Sequence, residues 1–165
     1  MAEDKFALAR GVLVGAVRPA LTILDRGGLA AEQLVLGTGV QESRLVEREQ
    51  RGGGPALGLF QMEPATHDDC WENYLNFRRA LAEKVMQTLD PGQRPVAATL
   101  KVNDRYAAAM CRVRYLRAPG SLPVANDIPA MANYWKQHYN TPAGAGRPEE
   151  FLEKWPLYIN DNTFA

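Results

Sequence analysis

Along most of this chain apolar residues return every three or four positions, and each such run is cut short by proline or glycine. That spacing follows one face of an α-helix, so the chain can bury its apolar side chains only by packing helix on helix. Phe6, Ala9, Leu13, Val17 and Leu21 trace the first stripe, from about Lys5 to Leu24, and Pro19 is expected to kink or split it. Past the turn Asp25-Arg26-Gly27-Gly28, a second helix is expected from Leu29 to about Ser43, with Leu34, Val35 and Val40 facing inward. Gly37 and Gly39 interrupt it at a cost of about 1 kcal/mol each relative to alanine, which points to close packing against another backbone.

The segment from Glu47 to Pro55 holds Gly52-Gly53-Gly54 and must be a loop or tight turn. Ala56 to Met62 is short and apolar, fit for a strand or extended segment, and Pro64 suits the first turn of a helix running to about Tyr74. Further helical stripes run through Phe77, Leu81, Val85 and Leu89, and through Tyr106, Ala109, Met110, Val113 and Leu116. The last is the strongest and is the candidate central helix, from Asn103 to Leu116. Asn126 or Asp127 can cap a helix from about Pro129 to Tyr139, and a short one is expected from Glu149 to about Trp155. The chain therefore reads as mainly α, one domain over residues 1–165, with no internal repeat and no linker.

Charge and cysteine content exclude several classes of function. Lys plus Arg and Asp plus Glu both number 19, so no nucleic-acid partner is expected. Cys70 and Cys111 stand far apart without a CxxC spacing, and His67 and His138 have no second ligand three or four residues away. No metal and no other cofactor is expected, and both thiols read as free core residues. Arg10 and Arg18 break the first apolar run, and Glu3 and Asp4 sit where a secretory signal would be basic. Neither a signal sequence nor membrane insertion is expected.

Two segments carry chemistry: Gly39-Val40-Gln41-Glu42-Ser43, and Gly58-Leu59-Phe60-Gln61-Met62-Glu63-Pro64-Ala65-Thr66. Together they resemble the soluble lytic transglycosylases and the related goose-type lysozymes. That signature is a catalytic Glu followed by Ser at a helix end, then Gly-Leu-Met-Gln, often continuing to Pro-Ala-Thr. Here Phe60 replaces the usual Met, and Glu63 stands just before the proline. The stretch from Asn103 to Tyr115-Leu116 resembles the family's third element, and Tyr139-Asn140 its fourth; Ala132-Asn133-Tyr134 also partly fits the fourth.

The resemblance implies a lysozyme-like helical domain with at most a short β segment beside the cleft, and peptidoglycan glycan strands as substrate. Glu42 would be the catalytic acid, because protonating a glycosidic oxygen near neutral pH needs a carboxyl whose pKa burial has raised from about 4.3 towards 6 or 7. The segment from Leu57 to Phe60 would supply apolar walls, with Met62 beside it. Gly58 would leave room for a sugar to approach the backbone, and Gln61 would hydrogen-bond an acetamido group. Ser43 would help position substrate or intermediate. Tyr139 or Tyr134 would reach the Glu42 carboxyl or the sugar, with Asn140 next to it. Tyr115 reads equally as core or site, and Trp71, Trp135 and Trp155 read as core.

A transglycosylase needs only Glu42, whereas a hydrolase needs a second carboxylate about 5 to 9.5 Å away. Asp68, Asp69, Glu72, Glu47 and Glu49 are the candidates for that role. The motif sits closest to the single-Glu enzymes, so a transglycosylase is expected ahead of a muramidase. A non-catalytic virion or wall-binding component is the competing class, suggested by Phe60, Glu63 and the Pro- and Gly-rich stretch from Pro142 to Pro148. Resemblance to small phage lysins implies holin-type release or carriage on a virion, where other virion proteins would be partners.

Overall fold

A computed structural model of the chain describes residues 4–140 and 143–165. Met1 to Glu3, part of the signal-sequence reading, and Pro142, the start of the Pro- and Gly-rich stretch, lie outside the described residues. The fold is mainly α, with no sheet among the described residues and only two isolated β-bridges, Glu49 with Leu57 and Leu57 with Met62. The helices are α1 (Lys5–Val12), α2 (Arg18–Leu24), α3 (Leu29–Ser43), α4 (Pro64–Asn73), α5 (Arg79–Met86), α6 (Thr99–Val102), α7 (Asp104–Leu116), α8 (Ile128–Trp135) and α9 (Pro148–Tyr158).

Helix α7 is the centre, as its stripe predicted: every residue from Tyr106 to Val113 is buried, and α2, α3, α4, α5 and α6 all pack on it. Its start is set locally, since the Asn103 side chain accepts from Tyr106 N–H at 2.9 Å. Helix α3 is buried nearly all round, from Leu34 through Val40, rather than on one face. Its glycines explain how. A methyl group at Gly37 would lie 2.7 Å from the rings of Phe151 and Trp155 in α9, and one at Gly39 would lie 2.7 Å from Leu45 and 3.0 Å from Phe60. The close approach expected at these glycines is thus made by apolar side chains, not by a second backbone.

Pro19 does not split the first helix. A π-turn, Leu13–Val17, joins α1 to α2, and Arg18 N–H reaches the Leu13 carbonyl five residues back. This wider turn absorbs the missing donor and the ring of Pro19 just ahead of it, so the helix continues. The resulting 20-residue helix, Lys5–Leu24, has a mean hydropathy of 1.5 over its most apolar window, long and apolar enough to cross a membrane by length and composition. That corrects the expectation that Arg10 and Arg18 leave no run of such length. Its stripe of Ala9, Leu13, Val17, Ala20, Leu21 and Leu24 is buried in the helical core.

Two other expectations change. Phe77, assigned to an inner stripe, is 77% exposed, because the chain turns through a 3-10 segment, Leu75–Phe77, before α5 begins. Helix α6 was not foreseen, because four residues are too few to show a period. Tyr106 and Met110 are core residues, as expected, and Cys70 and Cys111 are buried free thiols.

Candidate active site

The end of α3 determines where Glu42 sits. Arg44 and Leu45 both take left-handed backbone conformations, with φ of 53° and 61°, and Leu45 repays that strain by burying its side chain. Ser43 holds the turn. Its hydroxyl accepts from Leu45 N–H at 3.1 Å and lies 2.6 Å from the Leu59 carbonyl, to which it donates. Ser43 is therefore fully buried and fully bonded, and it ties the helix end to the 58–62 turn instead of reaching a substrate.

That second segment is a tight turn closed by paired bonds between Leu57 and Met62, at 3.0 and 3.1 Å. Gly58 has φ of 80°, and a Cβ there would lie 2.5 Å from the Leu100 carbonyl oxygen. The glycine makes room for this chain's own backbone, which corrects the expectation that it leaves space for a sugar. Phe60 is likewise in the core, against Gly39, and does not line the groove. Gln61, with φ of 49°, presents its side chain at the groove and donates to the Gly58 carbonyl at 2.9 Å. Met62 lines the groove beside it.

A further wall comes from the π-turn that follows α8, Lys136–Asn140, and from Ala143, Gly144 and Ala145. Tyr139 and Asn140 both line the groove. The Tyr139 hydroxyl donates to the Phe60 carbonyl at 2.6 Å, so its proton is spent on positioning the turn and not on the Glu42 carboxyl. Asn140 accepts from Lys136 at 2.8 Å. Tyr134 lies elsewhere, packed on Tyr115 with ring centroids 5.5 Å apart and against His138 at 4.5 Å. Tyr115 is core, its hydroxyl 2.7 Å from that of Thr38.

These elements enclose a groove of about 750 Å³ with Glu42 in its wall, joined by Gln61, Met62, Tyr139, Asn140, Glu47, Glu63, Arg51 and Arg114. Glu42 is half-buried: one edge faces the groove while packed chain displaces the solvent around the rest. Burial is the main cause that pushes its pKa from 4.5 up to about 7. The Trp135 N–H, donated to Oε2 at 2.9 Å, opposes that rise, as do the cations of Lys154 and Arg114 more weakly. The negative end of α3 acts in the same direction as burial.

Trp135 was expected to be core and is, yet it also supplies the hydrogen bond to Glu42. The one available signal was its position four residues before Tyr139, which puts both on one side of the α8 run. Among the second-carboxylate candidates, only Glu47 lines the groove, paired with Arg51; Glu63, which was not a candidate for that role, lines it as well. Asp68 bonds His67, Asp69 is paired with Arg117, Glu49 with Lys101, and none of these, nor Glu72, reaches the groove. Among the described residues no three His, Cys, Asp or Glu side chains cluster as a metal site would.

Comparison of the chain with protein-family models, with curated proteins and with solved structures found no match.

Proposed function

We propose that this protein is a peptidoglycan lytic transglycosylase in which Glu42 serves first as acid and then as base. The observation that carries the reading is a carboxyl in the wall of a groove of about 750 Å³ whose pKa burial pushes up to about 7. At neutral pH much of it holds a proton, which an ordinary solvated glutamate does not. Trp135 occupies Oε2, leaving Oε1 to carry that proton.

In the proposed reaction Glu42 donates to the oxygen linking a muramyl residue to the next glucosamine, and the C1–O bond breaks. The sugar's own C6 hydroxyl then bonds to C1 and returns its proton to the Glu42 carboxylate, closing a 1,6-anhydro ring without consuming water. Gln61 fits the role of acetamido binder, since its carbonyl oxygen takes no hydrogen bond from the described residues while its amide is held by Gly58. The wall would be reached after holin-type release or from a virion.

Glu47 and Glu63 on the same groove favour one second reading, a muramidase in which either carboxylate activates water. Digestion of purified peptidoglycan followed by mass spectrometry separates the two: anhydro-muramyl ends support the transglycosylase, and reducing ends with an added water support the hydrolase. Replacement Glu42→Gln keeps the size and the Trp135 contact, and is expected to lower glycan cleavage by about 10²-fold or more. Retained cleavage would show Glu42 not to be the acid, and no cleavage by the unaltered protein would favour a binding component.

A further inference from the structure

The two arginines on the groove differ in how their charge is met. Arg51 is paired with Glu47. Arg114, half-buried on α7, makes no ion pair among the described residues. Its only hydrogen bond among the described residues runs from Nη2 to the Tyr139 carbonyl at 3.0 Å, and its Nε is sealed from solvent with no partner among them. Nη1 is neither sealed nor bonded among the described residues, and the side chain lines the groove.

A guanidinium partly withdrawn from water without a counter-charge costs stability, and a carboxylate ligand would offset that cost through a charge-assisted hydrogen bond. The nearest acid in function, Glu42, does not serve as the counter-charge: its bound partner is Trp135, and its reaction as an acid requires it to be neutral. Glu63, the other unpaired carboxylate on the groove, is exposed and so stays solvated.

Building on the glycan reading above, we infer that Arg114 forms a carboxylate subsite in the groove, recognising an acidic group carried on the lactyl ether of a muramyl residue. Two sources share that chemistry, the free lactyl carboxylate of a strand without stem peptide and a carboxylate of the stem itself. Binding also acts on Glu42. Arg114 favours the ionised form of that carboxyl, so a substrate carboxylate that neutralises Arg114 makes Glu42 hold its proton more firmly. The acidic sugar thereby keeps the acid ready to protonate, and a neutral glucosamine polymer does not.

The test is the affinity of the unaltered protein for the disaccharide GlcNAc–MurNAc and for its lactyl methyl ester, followed by NMR titration. This disaccharide lacks the MurNAc–GlcNAc bond and is not cleaved. A parallel arm compares the same disaccharide bearing an L-Ala-D-Glu stem with its diamide. One charge-assisted hydrogen bond predicts about tenfold tighter binding of the acid in one arm, and the arm that shows it names the source. In Arg114→Gln the acid-to-neutral ratio is expected to fall to about one, and in Arg114→Lys to be partly kept. Equal affinity for acid and neutral forms in both arms overturns the subsite while leaving the glycan reading intact, and needs no variant. An undiminished preference in a folded Arg114→Gln overturns the assignment to Arg114, and binding of none of the four saccharides overturns subsite and glycan reading together.

Discussion

Replacing Glu42 by glutamine tests the physical state of the carboxyl separately from any activity. Glutamine keeps the volume and an oxygen to accept from Trp135, so the variant differs from the parent chiefly in having nothing to ionise. Burial raises the Glu42 pKa to about 7, against 4.5 for the unfolded chain, so the folded protein holds this proton more tightly. The stabilising effect of that proton is complete below about pH 4.5 and is lost as pH rises through 7. Integrated over the interval, the loss is about 3 kcal/mol. Urea unfolding of both proteins at several pH values between about 4 and 8.5 measures it, because other titrating groups cancel in the difference. Glu42→Gln should gain about 3 kcal/mol relative to the parent across that range, with the change centred between the two pKa values. A difference flat to within about 0.5 kcal/mol would refute the argument that this carboxyl is desolvated in the fold.

Trp135→Phe removes the N–H that favours the ionised carboxyl, so the alkaline limb of a pH–rate profile should move to higher pH; a uniform drop at every pH would reduce Trp135 to packing. Gly58→Ala forces a Cβ to within 2.5 Å of the Leu100 carbonyl at a φ of 80°, and thermal or urea unfolding should show a loss of about 2 kcal/mol or more. Ser43→Ala leaves the buried Leu59 carbonyl without its donor, and should cost about 1 to 3 kcal/mol of stability while leaving substrate affinity nearly unchanged. A stable Ser43→Ala protein with a large rise in KM would instead assign Ser43 to substrate contact.

Much of the backbone was legible because helices announce themselves locally. The α3 span from Leu29 to Ser43, the α4 start at Pro64, and the start near Asn103 and central place of α7 all follow from periodicity and turn chemistry within a few residues. The failures came where a local rule met a longer-range one. Pro19 sits inside a helix because a π-turn relieves it, and Phe77 is exposed because a 3-10 turn shifts the phase of its stripe.

The candidate site divides the same way. Sequence alone put Glu42, Gln61, Met62, Tyr139 and Asn140 in one motif set, and all five line one groove in the fold. Sequence alone could not say what each neighbour does, because a motif records residue types and not the direction of a side chain. Packing turned Ser43, Gly58 and Phe60 inward to build the turn, and brought Trp135 to Glu42 across 93 residues of chain. The raised pKa of that carboxyl and the unmatched charge of Arg114 belong to the tertiary structure alone, since desolvation depends on what surrounds a group in space and not on what adjoins it in the chain.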